Sequence, residues 1–133
     1  MKKGNCLNSE VSYVIAQMGH FDQLTISDSG LPLPMDVKRI DLAVKRGLPS
    51  LRDVLEVVLD DLKIQRAYIA LETKAENPEL YAYFVNMAKE LGIELTEMPH
   101  TEFKAQTHSS RAVIRTGESL PYSNIILESD VAF

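Results

Sequence analysis

The sequence has few sulfur atoms and few side chains that bind metals. Its 133 residues include one cysteine, Cys6, three histidines and no tryptophan. A single cysteine cannot form an internal disulfide, and no CxxC pair or Cys/His cluster has zinc-finger spacing. These shortages indicate a reducing compartment, which we expect to be the cytoplasm, and they give no support to a zinc site.

Basic residues and long apolar runs are also scarce. Lys and Arg total 14 against 19 Asp and Glu, a formal net charge of −5. Binding to phosphate backbones needs clustered positive charge, so we expect no nucleic-acid partner. No apolar run reaches the roughly 18 residues of a membrane span. The basic start Met1-Lys2-Lys3 lacks the apolar region of an export signal, so we expect no membrane association.

Several catalytic motifs are missing. The chain has neither GxGxxG nor GxxxxGK[ST], so no motif predicts a loop that holds nucleotide phosphates. It also lacks HExxH and GxSxG, the patterns of zinc proteases and of serine hydrolases. What remains is an ordinary globular composition, 45% hydrophobic and 25% charged. We expect one domain over residues 1–133.

Helical and strand periodicities alternate along the chain. The first helix is predicted to start at an N-cap on Asn8 or Ser9 and to end in a left-handed residue at Gly19. The later predictions are strands at 23–27 and 40–44, a capping-box helix from 50, a strand at 67–71, a helix from 77 to 92, a strand at 93–98, a helix at 101–107, and strands at 112–115 and 124–127.

This alternation predicts an α/β fold in which helices cover both faces of a sheet. The two closing strands, joined by a turn, predict that the sheet is mixed rather than purely parallel. We therefore expect a three-layer α/β/α arrangement with a mixed, mostly parallel sheet of about six strands.

Two side chains flank the first predicted strand. His20 precedes it, and Asp28 ends it. Histidine has an ordinary pKa of about 6.5 and exchanges protons near neutrality. Ligands of open α/β sheets bind at the carboxyl ends of strands, which favours Asp28 as a binding residue. The alternatives are that His20 stabilises a helix C-terminus and that Asp28 accepts backbone hydrogen bonds in a turn.

Two further segments carry candidate binding groups. His100 lies between a predicted strand and helix, with Lys104 one helical turn later. Tyr122-Ser123-Asn124 places a phenol, a hydroxyl and an amide just before an apolar strand. Such groups suit a small polyhydroxylated ligand because they combine fixed donors and acceptors with an aromatic face. The alternatives are an exposed loop histidine, a solvated lysine and a proline-led turn.

Several separate motifs occur along the chain in a fixed order. They are Met1-Lys2-Lys3-Gly4, Gly19-His20, Ser27-Asp28-Ser29-Gly30-Leu31-Pro32, Arg39-Ile40-Asp41-Leu42-Ala43, Gly47-Leu48-Pro49-Ser50, Ala112-Val113-Ile114-Arg115-Thr116-Gly117-Glu118 and Pro121-Tyr122-Ser123-Asn124-Ile125-Ile126-Leu127. Together they resemble the D-ribose pyranase family, to which fucose mutarotases are related. The similarity is close in the first sixty and last thirty-five residues, by eye, and weaker between them.

The resemblance implies an isomerase that interconverts the beta-pyranose and beta-furanose forms of D-ribose before the sugar is phosphorylated. It implies that His20 is the acid and that Asp28, His100, Tyr122, Ser123 and Asn124 bind the sugar. It also implies a homodecamer of two stacked pentameric rings, with sites near subunit boundaries. Ring opening and closing moves only protons, so we expect no metal or organic cofactor.

Two other functions remain open from the sequence. One is interconversion of L-fucose anomers, although Asp28-Ser29-Gly30-Leu31-Pro32 is more similar to the ribose branch. The other is a non-catalytic, sugar-binding regulatory subunit of a ribose transporter. An enzyme accelerates sugar exchange at catalytic concentration, whereas a binding subunit does not.

Overall fold

Six strands and five α-helices make up the fold. The computed structural model describes residues 1–133. Its elements are α1 (Ser9–Gln17), β1 (Gln23–Ser27), β2 (Lys38–Asp41), α2 (Leu51–Asp61), β3 (Ile64–Ala70), α3 (Thr73–Glu76), α4 (Pro78–Leu91), β4 (Glu94–Met98), α5 (His100–Gln106), a 3-10 turn (Thr107–Ser109), β5 (Ser110–Arg115) and β6 (Ile125–Ser129).

The strands form one mixed sheet in the order β2-β5-β1-β6-β3-β4. β6 runs antiparallel to both of its neighbours, β1 and β3, and every other pairing is parallel. The predicted mixed, mostly parallel sheet of about six strands is therefore confirmed. β5 and β6 do not pair with each other, because β1 lies between them.

Helices lie on both faces of the sheet, as predicted. On one face α1, α2 and α4 bury a large apolar core that includes Leu24 and Ile26 of β1 and Phe84 of α4. On the other face Phe103 of α5 packs against Ile126 of β6. Each such side chain contributes about 1.5–3 kcal/mol when fully buried.

The ends of two helices confirm the local predictions. α2 begins with a full capping box, in which Ser50 and Asp53 satisfy each other's backbone N–H groups. α4 ends at Gly92, whose φ of 66° is the left-handed conformation that glycine adopts without strain. Asn77 precedes α4, but its side chain does not cap the helix.

The predicted left-handed end of α1 at Gly19 is wrong. The helix ends at Gln17, Met18 is extended, and Gly19 is not left-handed. Instead the Asp22 carboxylate accepts a hydrogen bond from the Gly19 N–H at 2.8 Å and closes a separate turn. In that turn Phe21 takes the positive φ, 70°. The turn after α1 is thus closed by the side chain of Asp22 and not by a left-handed glycine.

The second strand also differs from its prediction. β2 covers Lys38–Asp41, whereas the apolar alternation predicted residues 40–44. Lys45 and Leu48 instead form a short antiparallel bridge in the loop beyond β2. Pairing with β5 sets the limits of β2, because every residue of Lys38–Asp41 is in register with a β5 residue. The short helix α3 was not predicted at all.

Candidate active site

The candidate residues lie at the two ends of the strands, which we call the carboxyl edge and the amino edge of the sheet. Five strands run parallel and β6 runs the opposite way, so the carboxyl ends of five strands and the start of β6 share one edge. Asp28, His100 and the segment 122–124 lie at this carboxyl edge. His20 lies at the other edge, before β1 begins. The structure therefore brings together all the predicted sugar ligands but not the predicted acid.

Asp28 and Asn124 form a reciprocal pair. The Asp28 N–H donates to Asn124 Oδ1 at 2.9 Å, and Asn124 Nδ2 donates to Asp28 Oδ2 at 3.1 Å. The other carboxylate oxygen, Oδ1, accepts from the N–H groups of Gly30 and Leu31 at 3.0 and 2.8 Å. Asp28 is thus both a turn residue and a rigidly held acceptor, since Oδ2 has a second lone pair free for a ligand hydroxyl.

His100 is held at the start of α5 by Glu72. The Glu72 carboxylate accepts from the His100 N–H, at 3.0 Å to Oε2. Ring atom Nδ1 is buried and has no hydrogen-bond partner. Burial, followed by the nearby Lys104 ammonium, lowers the pKa of His100, while the Glu72 and Asp28 carboxylates act in the opposite direction. His100 is therefore a neutral imidazole at neutral pH.

Tyr122 lies against His100, and its neighbours fix its backbone. The two rings meet edge to face with centroids 5.1 Å apart. Tyr122 has a φ of 53°, and its carbonyl accepts from Thr73 Oγ1 at 3.3 Å. The hydroxyl of Ser123 is buried and accepts from Asn77 Nδ2 at 3.1 Å. The side chains of Ser123 and Asn77 thus hold the segment in place, while the Tyr122 ring faces His100.

Two other polar residues, Glu118 and His108, have partners within the chain. Glu118 Oε1 accepts from the N–H groups of Ser119 and Leu120, at 2.9 and 3.1 Å, so its carboxylate stabilises its own loop. His108 forms an exposed pair with Asp36 at 3.2 Å.

His20 belongs to a separate group of polar residues at the amino edge of β1. Its Nε2 is 3.0 Å from Gln65 Oε1 and 3.8 Å from Asp130 Oδ1. The imidazole stacks on Phe21 with centroids 3.8 Å apart. β1 has five residues, and a strand rises about 3.3 Å per residue, so His20 and Asp28 are about 15 Å or more apart. One monosaccharide cannot contact both within a single chain.

Sequence reasoning missed three residues of these two groups. Glu72 lies two residues beyond the end of β3, so the rule that selected Asp28 at a strand end also applies to it. Gln65 and Glu128 gave no signal, because both lie within strands. Strand pairing brings Glu128 to Gln65, and Gln65 contacts His20. The contact between Gln65 and Glu128 depends on the register of β3 against β6.

The fold and the carboxyl edge define a class of protein. The sheet is of the mixed α/β type, and its edge offers a carboxylate, an amide, a neutral imidazole and an aromatic ring, a set that binds hydroxyls and exchanges protons. No three or more His, Cys, Asp or Glu side chains lie in an arrangement that would ligate a metal ion. This is a site of the kind expected for an uncharged, polyhydroxylated small molecule.

The chain belongs to the RbsD / FucU transport protein family, whose model matches residues 1–132. It is 50% identical over 133 residues to proteins named D-ribose pyranase from Pediococcus pentosaceus and Enterococcus faecalis, with 100% of each chain covered. It is 52% identical over 134 residues, again with 100% of each chain covered, to a D-ribose pyranase from Limosilactobacillus reuteri.

Two solved structures are similar to the chain over its full length. The chain matches Bacillus subtilis RbsD complexed with D-ribose at a TM-score of 0.95 and 41% identity, with 100% of both chains covered. It matches a Streptococcus pneumoniae fucose mutarotase in complex with L-fucose at a TM-score of 0.83 and 19% identity, also with 100% of both chains covered. The second similarity is one of fold alone.

None of the helices is both long enough and apolar enough to cross a bilayer.

Proposed function

We propose that this chain is an isomerase that interconverts the beta-pyranose and beta-furanose forms of D-ribose. The observation that carries the proposal is the full-length match to a ribose-bound structure at 41% identity, in a chain whose Asp28, His100 and Tyr122 lie at one sheet edge. The relatives named D-ribose pyranase support the same activity.

The reaction needs only proton transfers. To open the pyranose, a proton is delivered to the ring oxygen O5, the C1–O5 bond breaks, and the proton of the anomeric hydroxyl leaves as C1=O1 forms. To close the furanose, O4 attacks C1 and loses its proton, and O1 gains one. His20 is the proposed donor to O5, and a positioned acid or base accelerates such a step about 10²–10⁴-fold. No cofactor is required by this chemistry.

The carboxyl edge supplies the proposed sugar contacts. Asp28 Oδ2 accepts from a sugar hydroxyl, and its bonds to Asn124, Gly30 and Leu31 keep that oxygen fixed. His100, neutral because its pKa is lowered, pairs with another hydroxyl. Tyr122 offers its ring edge and phenol beside His100, and Ser123 acts through the backbone that it holds.

The proposed site is completed by His20 of the partner subunit. Within one chain the sheet separates His20 from Asp28, so both can contact one sugar only across a subunit boundary. Phe21, which stacks on His20, is 63% exposed, so this pair is accessible to a neighbouring subunit. We propose a homodecamer of two pentameric rings, located in the cytoplasm.

Sugar exchange measured by NMR tests the role of His20. Saturation transfer between the pyranose and furanose signals of D-ribose gives the exchange rate with protein at catalytic concentration. His20→Ala should reduce the added exchange by about 10²–10⁴-fold. His108→Ala, which removes an imidazole from an exposed pair with Asp36, is the matched control and should keep the parent rate. Equal rates for His20→Ala and the parent would contradict the proposal.

A further inference from the structure

A buried carboxylate, Glu128, is linked to His20 through Gln65, and the proposed sugar contacts do not use it. Glu128 is 7% exposed and accepts three hydrogen bonds. Gln65 Nε2 donates to Oε1 at 2.8 Å, while the Tyr68 hydroxyl and Gln23 Nε2 donate to Oε2 at 2.8 and 3.2 Å. Burial acts to raise the pKa of Glu128, but these hydrogen bonds outweigh it and lower the pKa, so the carboxylate is charged at neutral pH.

A β-bulge brings Gln65 to this carboxylate. In the pairing of β3 with β6, Ile64 is opposite Ser129 and Arg66 is opposite Glu128, which leaves Gln65 as an extra residue without a partner. Ile64 and Ala67 both face the main core, so Gln65 and Arg66 both lie on the opposite face. Bulges redirect side chains in this way and occur often near active sites. Here the bulge places the Gln65 amide between Glu128 and His20.

The hydrogen-bond donors and acceptors of Glu128, Gln65 and His20 fit together in only one arrangement. An ionised carboxylate only accepts hydrogen bonds, so Gln65 presents its NH₂ group to Glu128. The amide oxygen of Gln65 therefore faces His20 Nε2, at 3.0 Å. A carbonyl oxygen also only accepts, so Nε2 carries a proton. The neutral imidazole of His20 is then the Nε2–H tautomer, and Nδ1 holds the free lone pair.

The loop around His20 is fixed by further contacts. The Phe21 N–H donates to the Ser129 carbonyl at 3.0 Å, next to Glu128 in β6. Arg111 is the extra residue of a second bulge, in β5, and pairs with Asp22 at 2.9 Å. Asp22 in turn holds the Gly19 N–H. Two bulges therefore fix both the ring contact and the loop of His20.

We propose that Gln65, oriented by Glu128, is a positioning residue that holds His20 in the Nε2–H tautomer and leaves Nδ1 to exchange protons with the sugar. This inference rests on the proposed function. On pyranose opening, the Nδ1 proton of the imidazolium passes to O5 as C1–O5 breaks, and the anomeric proton passes to water. On furanose closing, Nδ1 recovers a proton from O4, and O1 regains one from water. Nε2–H stays bonded to Gln65 throughout.

The tautomer can be observed directly in the parent protein without any sugar. Solid-state ¹⁵N NMR of histidine-labelled protein distinguishes protonated from unprotonated ring nitrogens, and a His20→Gln spectrum assigns the His20 signals by difference. In the neutral ring of His20 we expect a protonated Nε2 and an unprotonated Nδ1. A protonated Nδ1 in the parent would overturn the proposal, whatever the result for ribose exchange.

Variants test whether Gln65 causes this preference. Gln65→Met keeps the length of the side chain but removes the acceptor, so the Nδ1 signal should shift toward its protonated position as both tautomers become populated. Exchange at saturating ribose should fall between about threefold and a hundredfold, because the ring is no longer held. Gln17→Met is the control, since Gln17 is exposed at the end of α1 and lies outside the contacts of Glu128, Gln65 and His20. An unchanged Nδ1 signal in Gln65→Met would refute the role of Gln65.

Discussion

The carboxylate of Asp28 has two roles at the level of the residue. One oxygen closes the turn through Gly30 and Leu31, and the other is shared with Asn124. The turn interpretation and the binding interpretation of Asp28 are therefore compatible. A residue whose position is fixed by three internal hydrogen bonds presents its remaining lone pair without losing side-chain entropy on binding.

His100 makes the stability of the protein depend on pH. Its pKa is lowered from 6.5 in the folded protein, chiefly by burial and then by Lys104, against the effect of Glu72 and Asp28. As pH falls below about 6.5 the unfolded chain binds a proton more readily than the folded one, so stability decreases. We expect the melting temperature of the parent to fall more between pH 7.5 and 5.5 than that of His100→Gln.

His108→Gln serves as the control for this comparison. His108 is exposed, so removing it should leave the decrease between the two pH values as large as in the parent. An equal decrease in the parent and in His100→Gln would show that His100 does not cause the pH dependence.

Among the elements, those with local signals were predictable. The capping box at Ser50, the proline that starts α4 and the glycine that ends it are all determined by residues close in sequence. The end of α1 was not predictable. It depends on the hydrogen bond from the Gly19 N–H to the Asp22 carboxylate and not on a left-handed glycine. The bulge at Gln65 depends on pairing with β6, which lies some sixty residues later.

Gly117 connects β5 to the loop that follows β2. Its N–H donates to the Pro49 carbonyl at 2.9 Å, and a β-carbon there would overlap the carbonyl oxygens of Leu48 and Lys45. Gly117→Ala should therefore force the two backbones apart and destabilise the protein by about 1–3 kcal/mol. Thermal or urea unfolding of the variant and the parent measures this difference.

Gly92→Ala is the matched comparison. Gly92 has a φ of 66° but open space around its α-carbon, so alanine there costs only the conformational penalty of about 1–2 kcal/mol. We expect Gly117→Ala also to slow ribose exchange. A shift of Gly117 moves its neighbour Glu118, whose carbonyl accepts from the Ser29 N–H next to Asp28. Gly92→Ala should leave exchange unchanged. Equal exchange rates in the two variants would contradict this account of Gly117.

The arrangement of the whole molecule decides which candidate residues can act together. His20 and Asp28 are eight residues apart in sequence, yet β1 places them on opposite edges of the sheet. The sequence alone identified both residues and the carboxyl-edge position of Asp28. It did not show that the acid and the ligands of one chain are separated, because this depends on which elements lie at each edge.

Mixing two inactive variants tests the site shared between subunits. His20→Ala and Asp28→Ala should each be inactive alone and have a mass near ten times the 14.9 kDa of one chain. After the two are dissociated together and reassembled at random, about a quarter of the interfaces pair an intact His20 with an intact Asp28, so activity should return to about a quarter of the parent level. No recovery in mixed assemblies would contradict a shared site.

The most direct test of the function is exchange of D-ribose itself by the parent protein. Saturation transfer between the pyranose and furanose signals is recorded at equilibrium, with protein at a small fraction of the sugar concentration, and repeated with L-fucose. We predict faster ribose exchange, in proportion to protein concentration, and a much smaller effect on L-fucose anomers. Ribose exchange no faster than in buffer, with only stoichiometric line broadening, would contradict the assignment and indicate a binding subunit.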